Sequence, residues 1–438
     1  MNQVDTIINC RWLIPIEPDN VVYNDYAIII HQGKIKDILP QKQAANHYQS
    51  STTLNLTSHA VLPGFVNAHT HSPMTLFRGL ADDLPLMEWL QNHIWPAESK
   101  WLSDEFIEDG TEIAIAEMIK CGTTCFNEHF FFPEVIAKVA ARAKIRACIG
   151  PTLINFPTNW SQDENDGFER FTRLYKEHGN QGLITWSLAP HAPYTITDNL
   201  LKKVRDFSQH HDLPIHMHVH ETANEIQESL EKYGKRPLKR LHDFELLSSR
   251  FQGVHMTQMN DEDLELLTLS KANVTHCPES NLKLASGYCE VERLLNNDVN
   301  VALGTDGAAS NNDLDMMGEM RTAAFIGKTI ANDATAVSAT QVLRMATLNG
   351  AKSLGLEKEI GSLEVGKSAD IIAIDLMHIN TMPIYNPISQ IVYSASNRQV
   401  TDVWVAGLQL LKNSKLLTMD EDNLFEKGKK WQKRIGSQ

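Results

Sequence analysis

The stretch Val61-Leu62-Pro63-Gly64-Phe65-Val66-Asn67-Ala68-His69-Thr70-His71 is an apolar run that ends in two histidines separated by one residue. In an extended strand, positions i and i+2 point to the same face. His69 and His71 can therefore aim both imidazoles at one point. Neutral imidazole is a common ligand for Zn, Fe, Ni and Cu. An isolated H-x-H pair also fits a solvated strand end, so the weight falls on the rest of the chain.

Downstream of residue 59, apolar β-branched segments alternate with helical ones. Eight strand candidates stand out, at 61–68, 123–128, 145–150, 184–190, 213–219, 253–256, 273–276 and 299–304. Between them run amphipathic stretches such as Glu105–Lys120, Pro133–Lys144, Leu200–His210, Glu262–Ser270 and Glu290–Asn296. Eight β-then-α units predict an α/β fold of the (β/α)8, TIM-like barrel type. A doubly wound sheet is the alternative, but no Gly-rich turn follows the first strand. The segment 155–173 is rich in Asp, Glu and Asn and begins as a loop.

The chain ends read differently. Asp5–Cys10, Tyr26–Ile30 and Lys34–Leu39 look like strands, with Gln32-Gly33 as a hairpin turn and no clear helix. A turn followed by a buried strand is read within Gly361–Ile374, and further strands at Val400–Val405 and Gln409–Leu411. Each end piece is too small to bury a core alone, so both are expected to combine into one small β-sandwich beside the barrel. The expected division is 1–58, 59–364 for the barrel, and 365–438 with a Lys-rich, solvated terminal helix over Leu424–Arg434.

Functional groups in such barrels lie at the C-terminal ends of strands. Here those ends carry His69 and His71, His191, the run His216-Met217-His218-Val219-His220-Glu221, His255, and Asp306 in Thr305-Asp306-Gly307. Histidines and acids thus cluster at one rim, as a metal centre requires. Three histidines and one aspartate can surround a divalent cation and leave room for a water. A cation lowers the pKa of such a water toward about 7. Glu221 and His255 are the natural groups to move its protons.

Bulk properties bound the partners. A net charge of −14 over 438 residues argues against nucleic acid or an anionic membrane as partner. No apolar run reaches the roughly 18–20 residues of a membrane span. Met1–Asp5 has no basic n-region, so no signal peptide is expected. Six cysteines at 10, 121, 125, 148, 277 and 289, without C-x-x-C spacing, fit reduced thiols in the cytoplasm.

Pro63–His71 resembles the first-strand signature of the amidohydrolase superfamily. More narrowly, the chain is similar to its 5′-methylthioadenosine/S-adenosylhomocysteine deaminase group, within the triazine hydrolase and cytosine deaminase branch. The resemblance extends through Leu90–Glu98, Ala189–Tyr194, His218–Thr222, Pro278–Gly287 and Gly304–Gly307. It implies that His69, His71, His218 and Asp306 bind one Zn, or alternatively Fe. It singles out His218, three residues before Glu221, over His216 and His220. It further implies that Glu221 shuttles a proton to the ring nitrogen, His255 polarises the attacking water, and Asp306 helps to deprotonate it. His191 is then a substrate contact, and Glu98 grips the ribose hydroxyls. The expected activity is hydrolytic deamination of an adenosine-type nucleoside, by a homo-oligomer.

Arg146 lies on a strand and reads as structural. No other arginine is placed to meet a substrate carboxylate, which favours methylthioadenosine over adenosylhomocysteine. The alternatives are a triazine hydrolase, a free-purine-base deaminase, and a non-catalytic assembly protein. Glu98 argues against a triazine, which has no diol, and the intact ligand set argues against the assembly protein. Ser280 and Asn281 are expected to order the site, Arg78 to pair with a nearby acid, and Met87, Trp89 and Leu90 to line either pocket or core.

Overall fold

The chain forms its first sheet before any barrel strand appears. In the computed structural model, which describes residues 1–436, β1 (Asn2–Leu13), β2 (Tyr23–His31), β3 (Lys34–Pro40) and β4 (Tyr48–Pro63) come first. Gln32 and Gly33, with φ of 51° and 77°, form the two-residue turn between β2 and β3. A short helix, Gln41–His47, interrupts this segment, contrary to the expectation of strands alone. Its sequence buries only Ala44, so it carries no apolar stripe for periodicity to detect.

The run 61–68 is not one strand. β4 ends at Pro63, and β5 (Phe65–Thr70) starts the barrel. Gly64 is the junction. Its N–H donates to the Asp370 carbonyl at 3.1 Å. A Cβ there would lie 2.1 Å from the Thr124 side chain, so only glycine allows the crossing.

The barrel continues with β6 (Thr123–Phe130), β7 (Arg146–Leu153), β8 (Ile184–Trp186), β9 (Ala189–Pro190), β10 (Ile215–Val219), β11 (Phe251–His255), β12 (Asn273–His276) and β13 (Val301–Leu303). β8 and β9 are two pieces of the fourth strand, and both pair with β7. All pairings are parallel, in two arcs, β5 to β8 and β10 to β13. Bridges Leu188–Ile215 and Thr70–Asp306 close the ring. β5, β6 and β7 are buried along their whole length, as parallel strands enclosed on both faces must be.

Polar caps start the outer helices. Side chains of Ser103, Asp163, Thr197, Thr222 and Asn260 accept hydrogen bonds from main-chain N–H groups in the first turns of Asp104–Lys120, Glu164–His178, Asp198–His211, Ala223–Tyr233 and Asp261–Ser270.

The last strands, β14 (Ile371–Asp375), β15 (Val400–Val405), β16 (Leu408–Lys412) and β17 (Lys415–Leu416), rejoin the first ones. The order is β17-β16-β15-β14-β4-β1-β2-β3, a single eight-stranded sheet from both chain ends. Arg146 ties this sheet to the barrel: its guanidinium meets the buried Asp370 carboxylate at 2.9 and 3.1 Å and Ser368 Oγ at 3.0 Å. The terminal helix, Glu421–Gly436, is not merely solvated. Trp431 is 1% exposed and donates to Asp109 at 2.9 Å. Lys427 and Lys430 pair with acids of the helix Asp104–Lys120. Among the described residues, no helix is long and apolar enough to cross a membrane.

Candidate active site

Strand ends converge as the sequence predicts. Nε2 of His69 and Nε2 of His71 each lie 3.2 Å from Asp306 Oδ1. Ligand-capable atoms of His69, His71 and His218 all fall within 4.8 Å of one another, and so do those of His69, His255 and Asp306.

The donors are oriented from behind. His71 Nδ1 donates to the His129 carbonyl at 2.5 Å, and His218 Nδ1 to the His191 carbonyl at 2.8 Å. A carbonyl only accepts, so each ring carries a hydrogen on Nδ1 and turns Nε2 toward the other donors. His69 Nδ1 faces His216 Nε2 at 2.8 Å. Asp306 Oδ2 accepts from Ser280 Oγ at 2.7 Å and Ser310 Oγ at 3.0 Å. Gly304 lets β13 approach β5: a Cβ there would sit 2.7 Å from the His69 nitrogen.

Electrostatics suit a cation. Burial lowers His69 to about 4 and His218 well below its usual value, so both are neutral ligands at neutral pH. Although burial opposes it, the His69 and His71 rings beside it hold Asp306 ionised. His71 goes the other way. Burial disfavours its charge, but the Asp306 hydrogen bond and charge raise it to about 9. Positive charge is thus favoured between His71 and Asp306, where a metal ion would take the place of a proton. His69 Nε2 is buried without a hydrogen-bond partner. Imidazole nitrogens with one carboxylate oxygen match the preference of zinc, and also serve iron.

Glu221 follows β10, and burial raises its carboxyl above the ordinary range. Its Oε1 lies 3.9 Å from His255 Nε2. His255 Nδ1 faces Asn281 Oδ1 at 2.8 Å. Ser280 and Asn281 thus both hold site groups, as expected, and Arg78 pairs with Glu117.

These groups open into a cavity of about 1020 Å³, counting its mouth. Glu98, on the helix Trp95–Trp101, and His191 line it beside His71, His218, Glu221, His255 and Asp306. Burial pushes Glu98 up to about 7 against the pull of His71, and lowers His191 to about 3. Trp89, Leu90, Trp95, Phe130 and Phe156 supply apolar wall, and no lysine or arginine is among the lining residues. Met87 instead borders a small hollow next to it.

Sequence reasoning missed Glu128 and His129. Glu128 accepts from the N–H groups of Ser72 and His129, each at 3.0 Å, and so fixes the turn after His71. His129 stacks on His218 with ring centroids 4.7 Å apart. Both sit on β6, which continues to Phe130, beyond the predicted end at 128.

Residues 60–410 match the amidohydrolase family. A 5-methylthioadenosine/S-adenosylhomocysteine deaminase of Saccharophagus degradans is 43% identical over 434 residues, covering 99% of this chain and 97% of its own. A 5′-deoxyadenosine deaminase of Methanopyrus kandleri is 39% identical over 416 residues, 94% of this chain and 95% of its own. The crystal structure of an adenosine deaminase from Xanthomonas campestris with bound zinc superposes with a TM-score of 0.98 at 46% identity, covering 100% of both chains.

Proposed function

The chain belongs to the amidohydrolase family, and on that premise we propose that it is a zinc-dependent hydrolase deaminating adenosine-type nucleosides. Water replaces the 6-amino group of the purine, giving the inosine analogue and ammonia. The observation that carries this reading is the pairing of Glu221 with His255 at 3.9 Å beside the His69, His71, His218 and Asp306 donor set.

Those four residues would hold a zinc ion, which would supply an activated hydrolytic water at neutral pH. Asp306, held by Ser280 and Ser310, accepts a proton from that water. His255, held through its Nδ1 by Asn281, aligns the water for attack on C6. Glu221 donates to N1, so negative charge does not accumulate on the ring as oxygen adds. Its raised carboxyl suits that role, because burial favours the protonated, donating form. Of the two protons of water, one ends on N1 and the other leaves with ammonia. His191 contacts the substrate in the cavity wall, and Glu98 accepts from the ribose hydroxyls.

The 5′-substituent is neutral in the preferred substrate. The lining offers aromatic and aliphatic wall but no cation for a carboxylate. Burying the charged amino-acid tail of adenosylhomocysteine there is costly without a partner. Methylthioadenosine, 5′-deoxyadenosine and adenosine carry no such tail. The enzyme acts in the cytoplasm as an assembly of identical subunits. Six buried free cysteines support a reducing compartment, and the exposed apolar residues Ile379, Tyr385 and Phe325 support association.

An ultraviolet assay over adenosine, methylthioadenosine, adenosylhomocysteine, guanine and a chlorotriazine tests the reading. Methylthioadenosine is expected to turn over with kcat/KM at least tenfold above adenosylhomocysteine. Turnover of guanine or the triazine alone would overturn it.

A further inference from the structure

β10 repeats the H-x-H spacing of β5, in His216-Met217-His218, yet its two histidines stand at different depths. Residues two apart share a face but lie about 6.6 Å apart along a strand. His218 groups with His69 and His71, and His216, one pleat below it and fully buried, groups instead with His69 and His129.

The orienting contacts of the other two histidines are main-chain carbonyls, which leave no choice of tautomer. His69 alone is oriented by another imidazole. Its Nδ1 meets His216 Nε2 at 2.8 Å, with the rings nearly perpendicular at 88°. One hydrogen lies between two nitrogens that can each donate or accept. His69 presents a lone pair at Nε2 only when that hydrogen is on its Nδ1 and His216 Nε2 accepts. The far nitrogen of His216, Nδ1, is buried with no hydrogen-bond partner, so no competing contact holds that ring in the opposite tautomer.

We propose that His216 is a positioning residue for the metal centre: by accepting from His69 Nδ1, it fixes the tautomer in which His69 binds the cation. This rests on the zinc-site reading above but not on the identity of the nucleoside. The needed chemistry is an acceptor at the position of Nε2, not an imidazole as such. Glutamine can supply a carbonyl oxygen there, and leucine cannot.

The test measures zinc affinity of the metal-stripped full chain by chelator competition, with the zinc-induced rise in Tm as a second readout. His216→Leu is expected to bind zinc 10–100-fold more weakly, the usual cost of losing a partner behind a ligating histidine. His216→Gln is expected to stay within about threefold of the parent, by retaining the acceptor. His276→Leu is the packing control. His276 is 1% exposed and makes no ring hydrogen bond, so its loss is expected to leave zinc affinity unchanged. Parental affinity in His216→Leu overturns the proposal. So does an equal loss in His216→Leu and His216→Gln, or in His276→Leu, since either makes the effect one of packing. If no purine is deaminated, the function reading fails, while the zinc affinities still decide the role of His216.

Discussion

Glu98→Gln separates the substrate-gripping role of Glu98 from catalysis. The carboxyl sits in the cavity wall, and its burial, against the pull of His71, raises it to about 7. At pH 8 the parent is therefore mostly ionised, by roughly ten to one. An ionised acceptor contributes about 1.5–3 kcal/mol per hydrogen bond, against about 0.5–1.5 for a neutral one. Replacing the carboxylate by an amide should then cost about 1–2 kcal/mol, or roughly 5–30-fold in KM. The value of kcat should change little, because the ribose end is remote from C6. A second axis is the substrate: a 2′,3′-dideoxy analogue has no hydroxyls to donate. With it, parent and Glu98→Gln should have equal KM.

The pH profile supplies the sign. Below about 7 the Glu98 carboxyl is protonated and loses its charge as an acceptor, so the parent KM should fall as pH rises through that value. The Gln variant should lack this limb. Steady-state kinetics over pH 6–9 with both substrates measures all of it. An equal loss on the diol and dideoxy substrates, or a limb that survives in Glu98→Gln, would refute the assignment.

Glu221→Gln should lower kcat about 10²–10⁴-fold with zinc content unchanged by mass spectrometry. Near-parental turnover with zinc bound would remove Glu221 from the proton path. Trp431→Ala should cost about 3–5 kcal/mol, read as a lower denaturant midpoint, while zinc content and kcat stay near parental. It removes a buried indole that packs edge-on against Phe106 at 5.1 Å and donates to Asp109. No change in the midpoint would return the terminal helix to a merely solvated role.

The sequence reveals which strands carry chemistry but not how deep each side chain sits. Period-2 alternation assigns a residue to a face from the local sequence alone. His69, His71, His255, Asp306 and the run His216–Glu221 could therefore be placed at one rim before any contact was known, while the choice of His218 within that run came from the family resemblance. Depth depends on the register between neighbouring strands, which is non-local. This is why the three histidines of β10 look alike in sequence. In the structure, His216 meets His69, His218 meets the donor set, and His220 accepts from Leu238 N at 3.1 Å. The same limit hid His129, one residue past a strand end that apolar patterning placed too early. It also merged 61–68 into one strand, because both sheets meeting at Gly64 are buried and the apolar signal does not change at the crossing. The terminal helix failed for the complementary reason. Its lysines read as solvated because their acids, Glu105, Asp109 and Glu112, lie more than 300 positions away. Only the pair Leu424 and Trp431, seven apart on an otherwise charged helix, carried a local hint that one face was covered.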